Sequence, residues 1–339
     1  MNNGFQMNTE GNRRQTLKQV KQAALHALQE YEIDWNSIHF IRVSEHVTFR
    51  VEASEGEQFL LRVHTENKLR EETLSELEWL FALKSKGLIL PEGVWNREGA
   101  LITDTSAVDG QHFYATLLRW VKGEHVDNGA LTEEAISKMG SLMARLHKAS
   151  ADFTPPSDFA RPTWGSQSFK RDWEHLSHHC MQFISDADFK LYSTAASKVA
   201  AHLETFTSHE QNYGIIHADL HNGNIIFLDN EPYPIDFGRC GFGYHLYDIA
   251  HAIMGLHPPQ RVNFVEGYQR IMKLEDEHVA KLECFFIMAL IETYSFHADN
   301  PLETEGLIEE QPYAQAILRA YVNGTPFLFN PLEVSRNRI

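Results

Sequence analysis

Apolar positions recur along the chain with two periods, and the change of period organises it. Between Arg14 and Glu30, Leu17, Val20, Ala24 and Leu28 fall on one face at helical spacing. Short runs with β character follow at Ile38 to Val43, Val47 to Val51 and Gln58 to Val63. Ser54-Glu55-Gly56-Glu57 separates the last two as a hairpin turn. A second helix is expected from Lys68 to Lys86, closed by Gly87. Strands are then expected at Ala100 to Thr103 and Phe113 to Val121, and Gly123 punctuates the chain.

Beyond Gly123 the helical period dominates. Ile136, Met139, Met143 and Leu146 mark a helix over Thr132 to His147. Thr154 to Ser166 is proline-rich and reads as a loop, and two helical stretches cover Phe169 to His209. One strand pair interrupts the helices, Asn224 to Leu228 and Tyr233 to Ile235, joined by the turn Asp229-Asn230-Glu231-Pro232. From Leu246 onward the pattern is mostly helical. The expected fold class is α+β: an N-terminal part, 1–121, with an antiparallel sheet and a helix, and a larger, mainly helical part, 122–339. A crevice between two such parts is a natural ligand site.

The bulk composition narrows the partners. Of 339 residues, 43% are hydrophobic and 22% charged, an ordinary mixture for a globular enzyme. Lys and Arg number 30 against 46 Asp and Glu, giving a net charge of −16, which disfavours phosphate backbones and anionic lipid. No nucleic-acid or membrane partner is expected. The charge would suit a cationic substrate, although solubility alone accounts for it. The three cysteines, Cys180, Cys240 and Cys284, lie far apart and form no metal-binding pair, which fits a cytoplasmic protein. Met1 to Arg14 is polar, without the apolar core of a signal segment.

The chemistry concentrates between Gly214 and Asp248. His217-Ala218-Asp219-Leu220-His221-Asn222-Gly223-Asn224 follows the catalytic-loop pattern H-R-D-L-x-x-x-N at every defined position except Ala218. Twelve residues after Asn224 comes Asp236-Phe237-Gly238, a metal-binding triplet in the same signature. The hairpin would bring Asn224 and Asp236 together as hard-oxygen ligands for Mg²⁺ on a nucleotide. Asp219, one loop earlier, would orient the proton of an attacking hydroxyl.

The segment resembles the aminoglycoside phosphotransferase/choline kinase superfamily, marked by H-x-D-x-H-x-x-N followed by I-D-F/W. His217, Asp219, His221 and Asn224 fill that pattern, and His221 separates it from ordinary protein kinases. Gly140 to His147 resembles the family's helix before the catalytic region, and Arg161-Pro162-Thr163-Trp164 and Leu61-Arg62-Val63-His64 resemble the branch that includes stress-response kinases and type II homoserine kinases. The resemblance implies a protein-kinase-like two-lobed fold and an ATP- and Mg²⁺-dependent phosphotransferase. It implies that Arg62, where lysine is usual, holds nucleotide phosphates and pairs with a helix glutamate. Glu76 is the candidate, with Glu72 and Glu78 as rivals. The loop covering the phosphates would be Ser44 to Arg50, which lacks glycine; Ser44 or Thr48 could donate to phosphate. Backbone groups of Arg119 and Val121 would meet the adenine edge. Asp248 is implied to hold the backbone of the catalytic loop, and His217 to be structural. His221 stays open between scaffold and active-site hydrogen bonder.

Nine residues separate Gly238 from Asp248, and no A-P-E follows, so the docking platform of a protein substrate is missing. That favours a small-molecule hydroxyl: homoserine, an amino-alcohol or an aminoglycoside. The alternatives are a protein Ser/Thr kinase of the same fold and a nucleotide-binding pseudokinase acting as an interaction module.

Overall fold

The computed structural model describes residues 5, 10–67 and 69–332. Most of the polar N-terminal segment and Lys68, the expected first residue of the second helix, lie outside them. The described chain divides into two compact units, Met1–Lys122 with Phe153–Arg161, and Gly123–Asp152 with Pro162–Ile339.

The first unit is an antiparallel sheet with helix α1 (Glu10–Gln29) against it. Strands β1 (Trp35–Val43), β2 (Val47–Ala53) and β3 (Gln58–Thr65) run in order, and helix α2 (Arg70–Ser85) follows. Strands β4 (Glu92–Gly93) and β5 (Thr103–Ser106) both pair with β6 (His112–Arg119), which itself pairs with β3. The two-residue period decides what each side chain of β3 meets. Phe59, Leu61 and Val63 join Val20, Ala24 and Leu28 of α1 in one core. Arg62, between them, takes the opposite face.

Two expectations shift for local reasons. The strand expected at Ala100 begins instead at Thr103. Asn96 Oδ1 accepts the Ala100 N–H at 2.8 Å and Gly99 adopts φ +75°, so Ala100 closes a turn. Helix α2 ends at Ser85, and the N–H of Gly87 caps Lys84 O at 2.8 Å with φ +86°.

The second unit contains α3 (Glu133–Ala151), α4 (Ser166–His179), α5 (Asp186–Leu203), β7 (Tyr213–Ile216), β8 (Ile225–Leu228), β9 (Glu231–Pro234), β10 (Gly241–Tyr244), α6 (His245–Ile253), α7 (Pro258–Gln269), α8 (His278–His297) and α9 (Thr304–Asn323). Thr132 caps α3 by accepting the Ala135 N–H at 3.1 Å. A Cβ on Gly140 would lie 2.0 Å from Phe264 O, so α3 and α7 meet backbone to backbone only because Gly140 has no side chain. The second helical stretch leaves helix at Leu203, not His209.

The hairpin at the centre differs in detail from expectation. Asp229 and Asn230 both take positive φ, 52° and 62°, and form a two-residue turn, so Glu231 and Pro232 belong to β9. Asn224 closes a 3₁₀ turn before β8 instead of starting the strand. Strands β7 and β10 pair with each other and were not expected from the sequence. Among the described residues no helix is long and apolar enough to cross a membrane. Cys180, Cys240 and Cys284 are buried, and none of them forms a disulfide.

Candidate active site

In the second unit, every residue singled out between His217 and Asp248 belongs to one hydrogen-bonded assembly or borders it. Asp248, on α6 and fully buried, organises it. Its Oδ1 accepts the backbone N–H of Ala218 at 2.8 Å, and its Oδ2 accepts that of His217 at 3.0 Å. His147 of α3 bonds the same carboxylate through Nε2 at 2.9 Å and turns Nδ1 to the hydroxyl of Tyr268. Burial opposes the charge on Asp248, but the bond and charge of His147 outweigh it and hold the carboxyl below its ordinary range. Ala218 sits at φ 63°, a region alanine rarely enters, so the two bonds to Asp248 hold a strained backbone in place.

That constraint aims Asp219. The side-chain amide of Asn224 donates to Asp219 O at 2.8 Å and to Asp219 Oδ2 at 3.0 Å. Asn224 is 95% buried, and its two N–H bonds leave Oδ1 as its acceptor. The N–H of Ile235 donates to Asn224 O at 2.9 Å, which fixes Asn224 beside the residue preceding Asp236. Asp236 itself adopts φ 62°, ψ 66°, a left-handed conformation that no glycine relieves.

His217 and His221 play different parts. His217 is buried and bonds Ile235 O through Nε2 at 3.0 Å, tying the loop that carries Asp219 to the residue before Asp236. His221 accepts the Gly223 N–H on Nδ1 at 3.0 Å, so the neutral ring carries its proton on Nε2. That nitrogen lies 3.8 Å from Asp219 Oδ1. Burial, more than the opposing pull of Asp219, keeps the His221 pKa below its ordinary value.

The donor set at Asn224 and Asp236 is one amide oxygen and one carboxylate. Among the described residues no group of three or more His, Cys, Asp or Glu could hold a metal by itself. One or two protein oxygens completed by water and phosphate is the coordination Mg²⁺ prefers, so these residues fit that ion.

In the first unit, Arg62 Nη1 bonds Glu76 Oε1 at 2.7 Å, with side chains 4% and 5% exposed. Arg62 Nε donates to Thr116 on the neighbouring strand at 3.2 Å. Arg62 is thus a buried residue of a central strand. Of the rivals, Glu72 is used through its backbone carbonyl, which accepts from Arg161, and Glu78 is only part-buried. Ser44 is exposed in the three-residue turn between β1 and β2, and its N–H bonds His46 O at 3.0 Å. Thr48 points inward, with Oγ1 buried and without a partner. Arg119 ends β6, where it is the register partner of Phe59 and Glu92, and Val121 follows the strand.

Sequence reasoning missed a second polar cluster beside the loop. Arg239, directly after Asp236-Phe237-Gly238, is paired with Glu292 of α8 and stacks 4.5 Å over the Trp164 ring. Tyr247 donates its hydroxyl to Glu292, and His251 Nε2 lies 3.5 Å from it. Only folding joins these residues, and no local pattern marks Glu292. The role of His147 was missed too, although the helix carrying it was recognised.

The sequence profile described as "Phosphotransferase enzyme family" matches residues 38–281. An amicoumacin kinase of Bacillus subtilis (strain 168) is 20% identical over 232 residues, which are 68% of this chain and 66% of that protein. A homoserine kinase of Bartonella tribocorum (strain CIP 105476 / IBS 506) is 24% identical over 239 residues, 68% of this chain and 70% of its own length. The chain thus spans about two thirds of the length of the curated relatives it matches. Among solved structures, the microcompartment-associated aminopropanol kinase superposes with a TM-score of 0.76 at 24% identity, covering 90% of this chain and 98% of that one. The fold is therefore the two-part, kinase-like α+β architecture.

Proposed function

The chain belongs to the phosphotransferase enzyme family, and from that premise we propose that it moves the γ-phosphate of ATP to a hydroxyl of a small molecule. The observation that carries this reading is the bond from Asn224 to Asp219 at 3.0 Å beneath a loop locked by Asp248. It aims a carboxylate outward from the loop while leaving an amide oxygen for a metal.

Each residue has a definite task in this reading. Asp219 accepts or orients the proton of the acceptor hydroxyl. Asn224 and Asp236 hold Mg²⁺, which when bound neutralises charge on the transferring phosphoryl group. Arg62, fixed by Glu76 and Thr116, presents its guanidinium to nucleotide phosphate. Ser44 lies at the turn where a phosphate-covering loop belongs, and Arg119 and Val121 are the adenine-edge candidates. His217 and Asp248 support the loop, and His221, neutral and 3.8 Å from Asp219, hydrogen-bonds at the reacting end. The cytoplasm is the proposed compartment, in keeping with three cysteines that form no disulfide.

Two observations favour a small acceptor over a protein. The relatives are named for small molecules: amicoumacin, homoserine and aminopropanol. Between Gly238 and Asp248 the chain is taken up by a 3₁₀ turn, β10 and the start of α6. No free segment remains there to dock a peptide.

The test is a radiolabelled ATP/Mg²⁺ assay of wild type and Asp219→Ala on homoserine, amino-alcohols, aminoglycosides, sugars and a generic protein. Transfer to a small molecule that the variant abolishes supports the reading. Transfer only to protein, or ATP binding without any transfer, would replace it with a protein kinase or a pseudokinase.

A further inference from the structure

A cavity of about 270 Å³ opens in the second unit, bounded by the loop before β7, the end of β10 and the loop before α8. No residue of the catalytic loop lines it. Tyr244, which does, pairs with Tyr213 at one end of the β7–β10 ribbon, and Gly241 pairs with Ile216 at the other end, from which His217 leaves. Water takes about 30 Å³ per molecule, so the space suits about nine waters or one single-ring ligand.

Its walls are of two kinds. Phe206, Tyr244 and Phe285 form an aromatic corner, with ring centroids 5.3 Å apart for Phe206–Phe285 and Tyr244–Phe285 and 6.1 Å apart for Phe206–Tyr244. The Tyr244 hydroxyl is spent on Phe206 O at 3.1 Å, so this corner offers ring surface. His245, also in the lining, adds a polar atom and is only 3% exposed. Its Nδ1 lies 3.2 Å from Gln211 O, which can only accept, so the neutral ring carries its proton there and Nε2 keeps a lone pair. Among the described residues nothing hydrogen-bonds Nε2, and Gly214 beside it has no side chain to cover it. Burial first, then His147, push the ring down to about 3, so at neutral pH it stays an acceptor. A buried acceptor without a donor is costly until one arrives.

The rim carries an unbalanced charge. Glu275 is satisfied: Lys281 bonds it, and the Asn212 amide donates to it at 3.2 Å. The bond from Lys281, above all, holds its carboxyl below the ordinary range. Lys273 has no ion pair or hydrogen bond among the described residues. In a chain of net charge −16, Lys273 and Lys281 against Glu275 leave this opening positive.

We propose that this cavity is a second ligand site, which takes a single-ring aromatic acid bearing a hydroxyl. The ring packs against Phe206, Tyr244 and Phe285, the hydroxyl donates to His245 Nε2, and the carboxylate meets Lys273. The site does not depend on the phosphotransfer reading. Its occupant would lie against the back of the catalytic network, because His245 stacks on His147 at 4.3 Å and His147 bonds Asp248.

The experiment titrates 4-hydroxyphenylacetate into the full chain with ADP and Mg²⁺, followed by ligand-observed NMR, with phenylacetate and tyramine as counterparts. The hydroxy acid is expected to bind saturably with a Kd of about 1 mM or tighter, as suits a single-ring ligand. Phenylacetate lacks the hydroxyl and tyramine reverses the charge, so each should bind roughly fivefold or more weakly, the worth of one hydrogen bond. Lys273→Glu, a change at an exposed position, should weaken the hydroxy acid roughly tenfold and leave the melting temperature unchanged. Asp219→Ala should leave its binding unchanged. Absence of saturable binding, equal affinity for the three probes, or indifference to Lys273→Glu overturns the assignment. Binding lost in Asp219→Ala also overturns it, since the probe then sits at the catalytic loop.

Discussion

The carboxylate of Asp248 accepts the N–H of Ala218 at 2.8 Å while Ala218 holds φ at 63°. A buried charge on α6 thus fixes a strained residue whose successor is the proposed base. Replacing Asp248 by Asn keeps the volume but removes an acceptor and the negative charge facing His147. We expect a loss of about 3 kcal/mol in urea unfolding, as for other broken buried charged networks, together with a lower kcat. Unchanged stability would mean that the loop holds its shape without Asp248.

The acid sensitivity of the fold should report the buried histidine beside this network. Burial first, and His147 second, push His245 down to about 3. Asp248, the Gln211 carbonyl and His209 also act on it. The unfolded chain titrates near the ordinary histidine value, about 6.5. Between those values the unfolded state binds the extra proton, so stability is full above about pH 6.5 and falls as pH drops toward 3. His245→Asn should flatten that acid limb in melting curves taken between pH 7 and 4. An identical slope in the variant would remove His245 from the account.

Asp219→Asn should lower turnover by roughly two or more orders of magnitude, the usual effect of losing a general base. Its side chain is 29% exposed, and an asparagine there still offers Oδ1 to the Asn224 amide, so the melting temperature should hardly move. A variant with near-normal kcat would exclude Asp219 as the base.

Asp236→Ala should weaken nucleotide binding in the presence of Mg²⁺ and leave binding in EDTA nearly unchanged. Calorimetry under both conditions separates these. Equal affinities for wild type and variant with Mg²⁺ would remove Asp236 from the metal site.

Arg62 and Glu76 are almost fully buried, so breaking the pair leaves an uncompensated charge in the first unit. Glu76→Ala should cost about 3–5 kcal/mol on unfolding. Arg62→Lys keeps the charge but loses the bond from Nε to Thr116. It should therefore be milder in stability and visible in the KM for ATP. Equal stability losses for both variants would show that the fork geometry, not the charge, holds the strand.

The sequence determined more of the site than of its surroundings, for a physical reason. Asp219, Asn224 and Asp236 lie within one hairpin and its flanking loops, so their spacing is set by local chain geometry and survives in the one-dimensional pattern. The same holds for the helices with apolar stripes, such as α3, and for strands such as β3, whose odd positions reach the core while Arg62 faces away. What only the tertiary structure decided are pairings across long stretches of chain. His147 meets Asp248 across 101 positions, and Arg239 meets Glu292 across 53. Strands β7 and β10 are four residues each, too short for a period to register, and exist because they pair with each other. The choice of Glu76 over Glu72 and Glu78 followed from which face of α2 turns to β3. Burial and partner availability are properties of the folded arrangement, and no local pattern of residues encodes them.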